Sequence, residues 1–225
     1  MKKASLRSSH LPQRVHAVLE PRKSPVQARS AASVDAILEA TIQVLLSVGK
    51  ERLTTTRVAL RAGVSVGTLY QYFPNKGALL QAALKRHLDE VTAAVEQVCR
   101  EQKGSTLQNM ATALITAFLA AKMRDAKTSV ALYSVSSDVD GATIVQQVGA
   151  RSNKAIVAML ASASEPLSEA KDPQVVASML QAAMVGVSRR LLESNAPEKQ
   201  FDTVRQELIF FVTAYLKACS TQPSV

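Results

Sequence analysis

Apolar residues along the chain recur at steps of three and four, the spacing that keeps one helical face dry, and no stretch of useful length alternates in the two-residue rhythm of a strand. The first run, Val34, Ile37, Leu38, Val44, Leu45 and Val48, closes at Gly49 and predicts a helix. Thr54, Thr55 and Thr56 offer hydroxyls that can cap the unpaired first-turn amides of a short second helix reaching to about residue 62, where Gly63 breaks it. A third short helix is expected over about 66–72, because Pro74 cannot continue a helix and biases Phe73 away from helical angles. Asn75 opens a long fourth helix with Leu80, Leu84, Leu88, Val91, Val95 and Val98 on one face, and Gly104 ends it. Ser105 and Gln108 form a capping-box pattern before a fifth helix that buries Leu107, Met110, Leu114, Ile115 and Phe118. Further helices fall at about 127–136, 142–163, 173–194 and 197–219, with Asp172-Pro173 as a cap followed by a first-turn proline. The expected fold class is all-α, about nine helices without internal repeats.

Charge divides the chain unevenly. Residues 1–30 carry seven basic side chains against one acidic, residues 31–77 five against three, and the remaining 148 residues fifteen against fourteen, within a total of +9. A cationic front end on a nearly neutral body points to a polyanion at the N-terminal side. Residues 1–30, with Pro12, Pro21 and Pro25 among Ser, Arg and Lys, read as a flexible basic arm. Residues 31–77 then form a small three-helix domain and residues 78–225 a larger helical one.

The segment from Thr54 has the spacing of a helix-turn-helix. Ala59 lies four residues before Gly63, so a small side chain permits close helix crossing and glycine tolerates the positive φ of the turn, while Val58, Val64 and Leu69 can fill the wedge between the helices. Together the threonine-led second helix, Ala59, Ala62-Gly63-Val64, Gly67-Thr68-Leu69-Tyr70, Tyr72-Phe73, Asn75-Lys76 and Leu79-Leu80 resemble the DNA-binding domain of the tetracycline-repressor (TetR) family. That resemblance implies that Val66, Gly67, Thr68, Tyr70, Gln71 and Tyr72 lie on or near the face that enters the major groove. Chemistry suggests their roles. Gln71 can bond both polar sites on the major-groove edge of adenine, and Val66 can touch a thymine methyl. Thr55, Thr68, Tyr72 and Lys76 suit phosphates, Tyr70 a base or the backbone, and Gly67 lets the main chain come close. Thr55 and Thr56 stand equally as DNA contacts or as helix caps, and Phe73 reads as core.

In the last helix, Phe201, Val204, Leu208, Phe211 and Tyr215 form one apolar stripe, with Ile209, Val212 and Leu216 beside it; one stripe can face the core and the other a partner. Met179, Ala183, Gly186 and Val187 on the preceding helix are small or adaptable. The resemblance implies a homodimer in which these two helices pair with their symmetry mates, giving Met179, Ala183, Gly186, Val187, Leu208, Phe211, Val212 and Tyr215 as interface candidates. It also implies a cavity for a small-molecule effector among helices four to eight, with Phe118, Met123, Tyr133, Met159 and Met184 as apolar candidates. The few charges on these helices favour a neutral or aromatic compound.

The implied function is a ligand-responsive repressor that binds a palindromic DNA operator as a dimer, with an activator or a ligand-blind DNA-binding factor of the same fold as alternatives. Catalysis is not expected. His10, His16 and His87 keep no company that makes a nucleophile, phosphate loop or metal site, His87 reads as a surface residue, and neither cofactor nor metal is called for. Cys99 and Cys219 have no paired spacing, which fits the reducing cytoplasm. The apolar stretch 111–121 is too short to span a bilayer, so no membrane partner is expected.

Overall fold

A computed structural model of the chain describes residues 25–220. Among the described residues are nine α-helices, which are α1 (Pro25–Arg52), α2 (Thr55–Ala62), α3 (Val66–Tyr72), α4 (Lys76–Glu101), α5 (Leu107–Met123), α6 (Ala126–Val135), α7 (Gly141–Leu160), α8 (Pro173–Leu192) and α9 (Pro197–Cys219). A 3-10 turn, Ser136–Asp138, joins α6 to α7. The protein is all-α, as the apolar periodicity predicts, and one isolated bridge between Leu167 and Ser220 is its nearest approach to a strand among those residues.

Several ends follow from single residues. Gly49, at φ 74°, takes α1 out of helical geometry where the apolar pattern stops, and a short further turn carries the helix to Arg52. At its front, α1 begins at Pro25, inside the segment read as an arm; a first-turn proline has the φ a helix needs and gives up an amide that would be unpaired anyway. The earlier basic residues lie outside the described residues. The cap of α5 is Thr106, which accepts from the Asn109 amide, and not the expected Ser105, whose carbonyl instead accepts from the Ser164 amide of the α7–α8 loop at 3.0 Å.

Two hydrophobic cores meet along α4. The lower one joins Ile37 and Leu45 of α1, Val58 of α2, Leu69 of α3, Leu79 to Leu88 of α4, Leu132 and Val135 of α6, and Ile144 and Val148 of α7. The upper one is built from Val91 to Cys99 of α4 with α5, α8, α9 and the end of α7. A single helix therefore carries its first half in one core and its second half in the other. The three-helix unit does not float on a tether, since α6 and the start of α7 are packed into its core. Two helical stretches, Ser30–Arg52 and Pro173–Leu192, are long and apolar enough to cross a bilayer, and each gives one face to these cores.

Candidate nucleic-acid interface and cavity

The α2–α3 turn is fixed locally. Thr54 caps α2 by accepting from the Arg57 amide, which releases Thr55 and Thr56 from that duty. Gly63 adopts φ 68° and donates to the Leu60 carbonyl, while Val64 donates to that of Ala59, so the last carbonyls of α2 are paired as the chain reverses. A Cβ at Gly63 would meet nothing within 4 Å, so backbone angle and not space demands glycine there. Ser65 caps α3 by accepting from Thr68, and the two hydroxyls lie 2.8 Å apart. Val58, Leu69 and Phe73 are buried and Val64 is partly so, the wedge that the spacing predicts.

With those side chains inward, α3 presents Val66, Gly67, Tyr70 and Gln71 outward, with Thr68 and Tyr72 half-buried at the edge. Tyr70 is half exposed, and its phenol is 3.1 Å from the Thr55 hydroxyl at the start of α2, which sets the ring's direction. Thr56 is exposed on the same turn. Gly67 has free space: a Cβ there would find only the Ser65 hydroxyl, at 3.7 Å. Lys76 has a further task, since its ammonium donates to the Lys50 carbonyl at the end of α1 at 2.6 Å, leaving other N–H donors for an outside partner.

Above this unit lies a half-open cavity of about 870 Å³ lined by α4, α5, α6, α7 and α8. Of the five apolar candidates, Phe118 and Tyr133 line it; Met159 and Met184 are buried in the upper core, and Met123, at the end of α5, is also outside the lining. Much of the polar lining is paired within the protein. Asn153 donates to Ser178 and accepts from Gln174, and Gln181 donates to the Gly149 carbonyl.

Two buried groups overturn expectations drawn from the sequence. His87 is not a surface residue: it is 8% exposed, 3.0 Å from the Ser129 hydroxyl, and pushed down to about 4 by burial, then by the nearby charge of Lys122. Ser129 donates to the Lys122 carbonyl, so the neutral imidazole donates its N–H to Ser129. Lys122 is 4% exposed, lines the cavity, and is pushed down to about 8 by burial. The sparse charge of these helices thus misleads, because one of the charges points inward. Both positions continue apolar stripes, His87 three residues after Leu84 and Lys122 four after Phe118, and that spacing was the available signal.

The interface candidates divide. Met179 (54% exposed) and Phe211 (59%) face outward with Gly186, while Ala183, Val187 and Tyr215 are half-buried. Leu208 and Val212 are sealed in the chain's own core. Phe210, at 72% the more exposed neighbour of Phe211, belongs to the outward face and was not among the candidates.

A capped helix-turn-helix set on a helical body with a half-open cavity is the build of a class, the DNA-binding transcription regulators. Residues 37–83 match the description "Bacterial regulatory proteins, tetR family" and residues 106–216 match "Tetracyclin repressor-like, C-terminal domain". The chain belongs to the TetR family. Among curated relatives it is similar to the HTH-type transcriptional repressor KstR of Mycolicibacterium smegmatis, 43% identical over 61 residues, or 27% of this chain and 30% of that protein. It is also similar to the nucleoid occlusion factor SlmA of Haemophilus ducreyi, 36% identical over 72 residues, covering 32% and 36%. The matched segments span about a third of the length of these relatives. In fold it is similar to a transcriptional regulator from Rhodococcus (TM-score 0.66, 20% identity, 85% of this chain and 100% of that one). The fatty acid degradation regulator FadR from Bacillus halodurans is similar as well (TM-score 0.62, 16% identity, 84% and 97%).

Proposed function

We propose that the chain is a ligand-responsive repressor that binds a palindromic operator as a homodimer and leaves it when an effector fills the cavity. The observation that carries this reading is the sharing of α4 between the two cores. Its Leu88, Val91 and Thr92 line the cavity, and its first half packs against α1 and shares one core with α2 and α3. A second link supports it. Ser136 of the cavity wall starts the 3-10 turn, whose Asp138 pairs with Lys50 at the end of α1 at 2.9 Å, and Gln81 of α4 donates to the Val139 carbonyl. The Lys50–Asp138 hydrogen bond, with their mutual charge, holds the carboxyl below and the ammonium above their usual ranges. An effector that prefers a displaced α4 would shift the population away from the spacing DNA requires. A differential affinity of about 1 to 3 kcal/mol changes operator affinity roughly 5- to 150-fold.

In this reading residues 31–77, with the start of α1 before them, are the DNA-binding part, residues 78–225 the effector-binding and dimerising part, and the basic residues ahead of Pro25 an arm beside the DNA. Thr55, Thr56, Val66, Gly67, Thr68, Tyr70, Gln71, Tyr72 and Lys76 form the contact surface, with Gln71 reading a base. The dimer seam runs over Met179, Gly186, Phe210 and Phe211. The name of the KstR relative supports repression, and the buried Cys99 and Cys219, neither in a disulfide, fit the cytoplasm. Selection of genomic fragments by the purified protein tests the reading. It should return a palindrome with half-sites about 34 to 36 Å apart, and Gln71→Ala should lose about 1 to 3 kcal/mol of discrimination at one base pair per half-site. Fragments without two-fold symmetry, or a base preference untouched by Gln71→Ala, would overturn it.

A further inference from the structure

Lys122 stands out in the cavity because its charge has no partner. Among the described residues its ammonium makes no ion pair or hydrogen bond; it lies 4.6 Å from the centre of the Tyr133 ring and 5.8 Å from that of Phe118. Ring faces stabilise a cation, but they do not replace the water it has lost. The end of α5 that carries it is held firmly, since the Lys122 carbonyl accepts from Ser129 and Ser129 from His87. The rest of the lining has the same sign. Lys154 and Arg189 are exposed at the cavity's edge, Arg189 paired with Glu193, and no carboxylate is among the described lining residues. Against these cations stands an aliphatic wall that includes Leu88, Val148 and Val185. A lysine whose stem is buried and whose unpaired ammonium opens only onto this cavity has a site placed for a counter-charge.

We infer that the cavity takes an amphipathic carboxylate, whose anionic head pairs with the Lys122 ammonium between Phe118 and Tyr133 and whose apolar tail lies against the aliphatic wall. This rests on the reading of the cavity as the effector site and gives that effector its chemical class. Calorimetry on the full chain without DNA, with decanoate, decanol and decyltrimethylammonium as probes, tests it: the tails are alike and only the heads differ. Decanoate should bind about tenfold or more tightly than decanol, since the carboxylate forms an ion pair with the ammonium where the hydroxyl offers it only a dipole, and the quaternary ammonium should bind weakest. Lys122→Met should erase the preference while still binding decanol, and should melt higher than the wild type because the buried charge is gone. Lys122→Arg should keep the preference. No binding of decanoate, equal binding of decanoate and decanol by the wild type, or a preference that survives in Lys122→Met would overturn the inference. Operator affinity is measured separately: decanoate held through Lys122 without any loss of DNA binding would uphold the carboxylate site and remove the release mechanism.

Discussion

Gly67 sits on the outward face of α3, where the protein itself has room for a side chain. Glycine in a helix interior costs roughly 0.5 to 1 kcal/mol relative to alanine, less in the first turn where Gly67 lies, and neither space nor a positive φ demands it there. The proposed close approach of the α3 backbone to DNA gives it a use. Gly67→Ala should therefore melt at or above the wild-type temperature while weakening operator binding by about 1.4 kcal/mol, tenfold in affinity. Paired melting and DNA titrations check this, and an unchanged affinity would remove the close approach. His87 gives the fold a pH dependence with a definite sign. Unfolded, the imidazole takes a proton near its ordinary 6.5; folded, burial delays this to about 4. The unfolded state thus binds more protons between these values, and stability is full above about 6.5 and lost as pH falls towards 4, by up to ~3 kcal/mol. Denaturant titrations across that range should show the loss, and His87→Met should remove this part of it.

Exposure along α9 separates two substitutions that the sequence treats alike. Phe211 points outward beside Phe210, whereas Val212 is sealed against the upper core. Phe211→Glu should leave the helical signal intact and produce monomers in light scattering at micromolar concentration, because a carboxylate in an apolar seam is desolvated without a partner. Val212→Glu should unfold the chain instead. A Phe211→Glu protein that stays dimeric would move the seam elsewhere. Helices closed by strong local signals were legible in the sequence: α2 between the threonines and Gly63, α3 before Pro74, α8 after Asp172-Pro173 and α9 from Pro197. What the sequence hid is decided by long-range packing. Both stripes of α9 are apolar, so periodicity alone could not tell that Leu208, Val212, Leu216 and Cys219 face the core. Nor could it show that a charged residue on α5 points inward, or that the short turn after α6 reaches back to Lys50.

At the scale of the whole molecule, charge is divided between a cationic front end and a nearly neutral body. If Lys2, Lys3, Arg7, Arg14, Arg22 and Lys23 lie along phosphates, removing residues 1–24, which precede α1, flattens the salt dependence of operator affinity. Each lost phosphate contact changes the slope of log affinity against log salt by about 0.9, so two contacts per subunit alter the dimer's slope by roughly 3.6. Titrations at several salt concentrations check this, and equal slopes would leave the arm without a role at DNA. In the proposed dimer the body sets whether two recognition helices act together. The most direct test is sedimentation of the full chain on a selected operator and on one isolated half-site. Two chains should bind the intact palindrome as a unit, with the half-site held far more weakly; one chain per site, at the same affinity on both DNAs, would contradict the proposed dimeric operator-binding regulator.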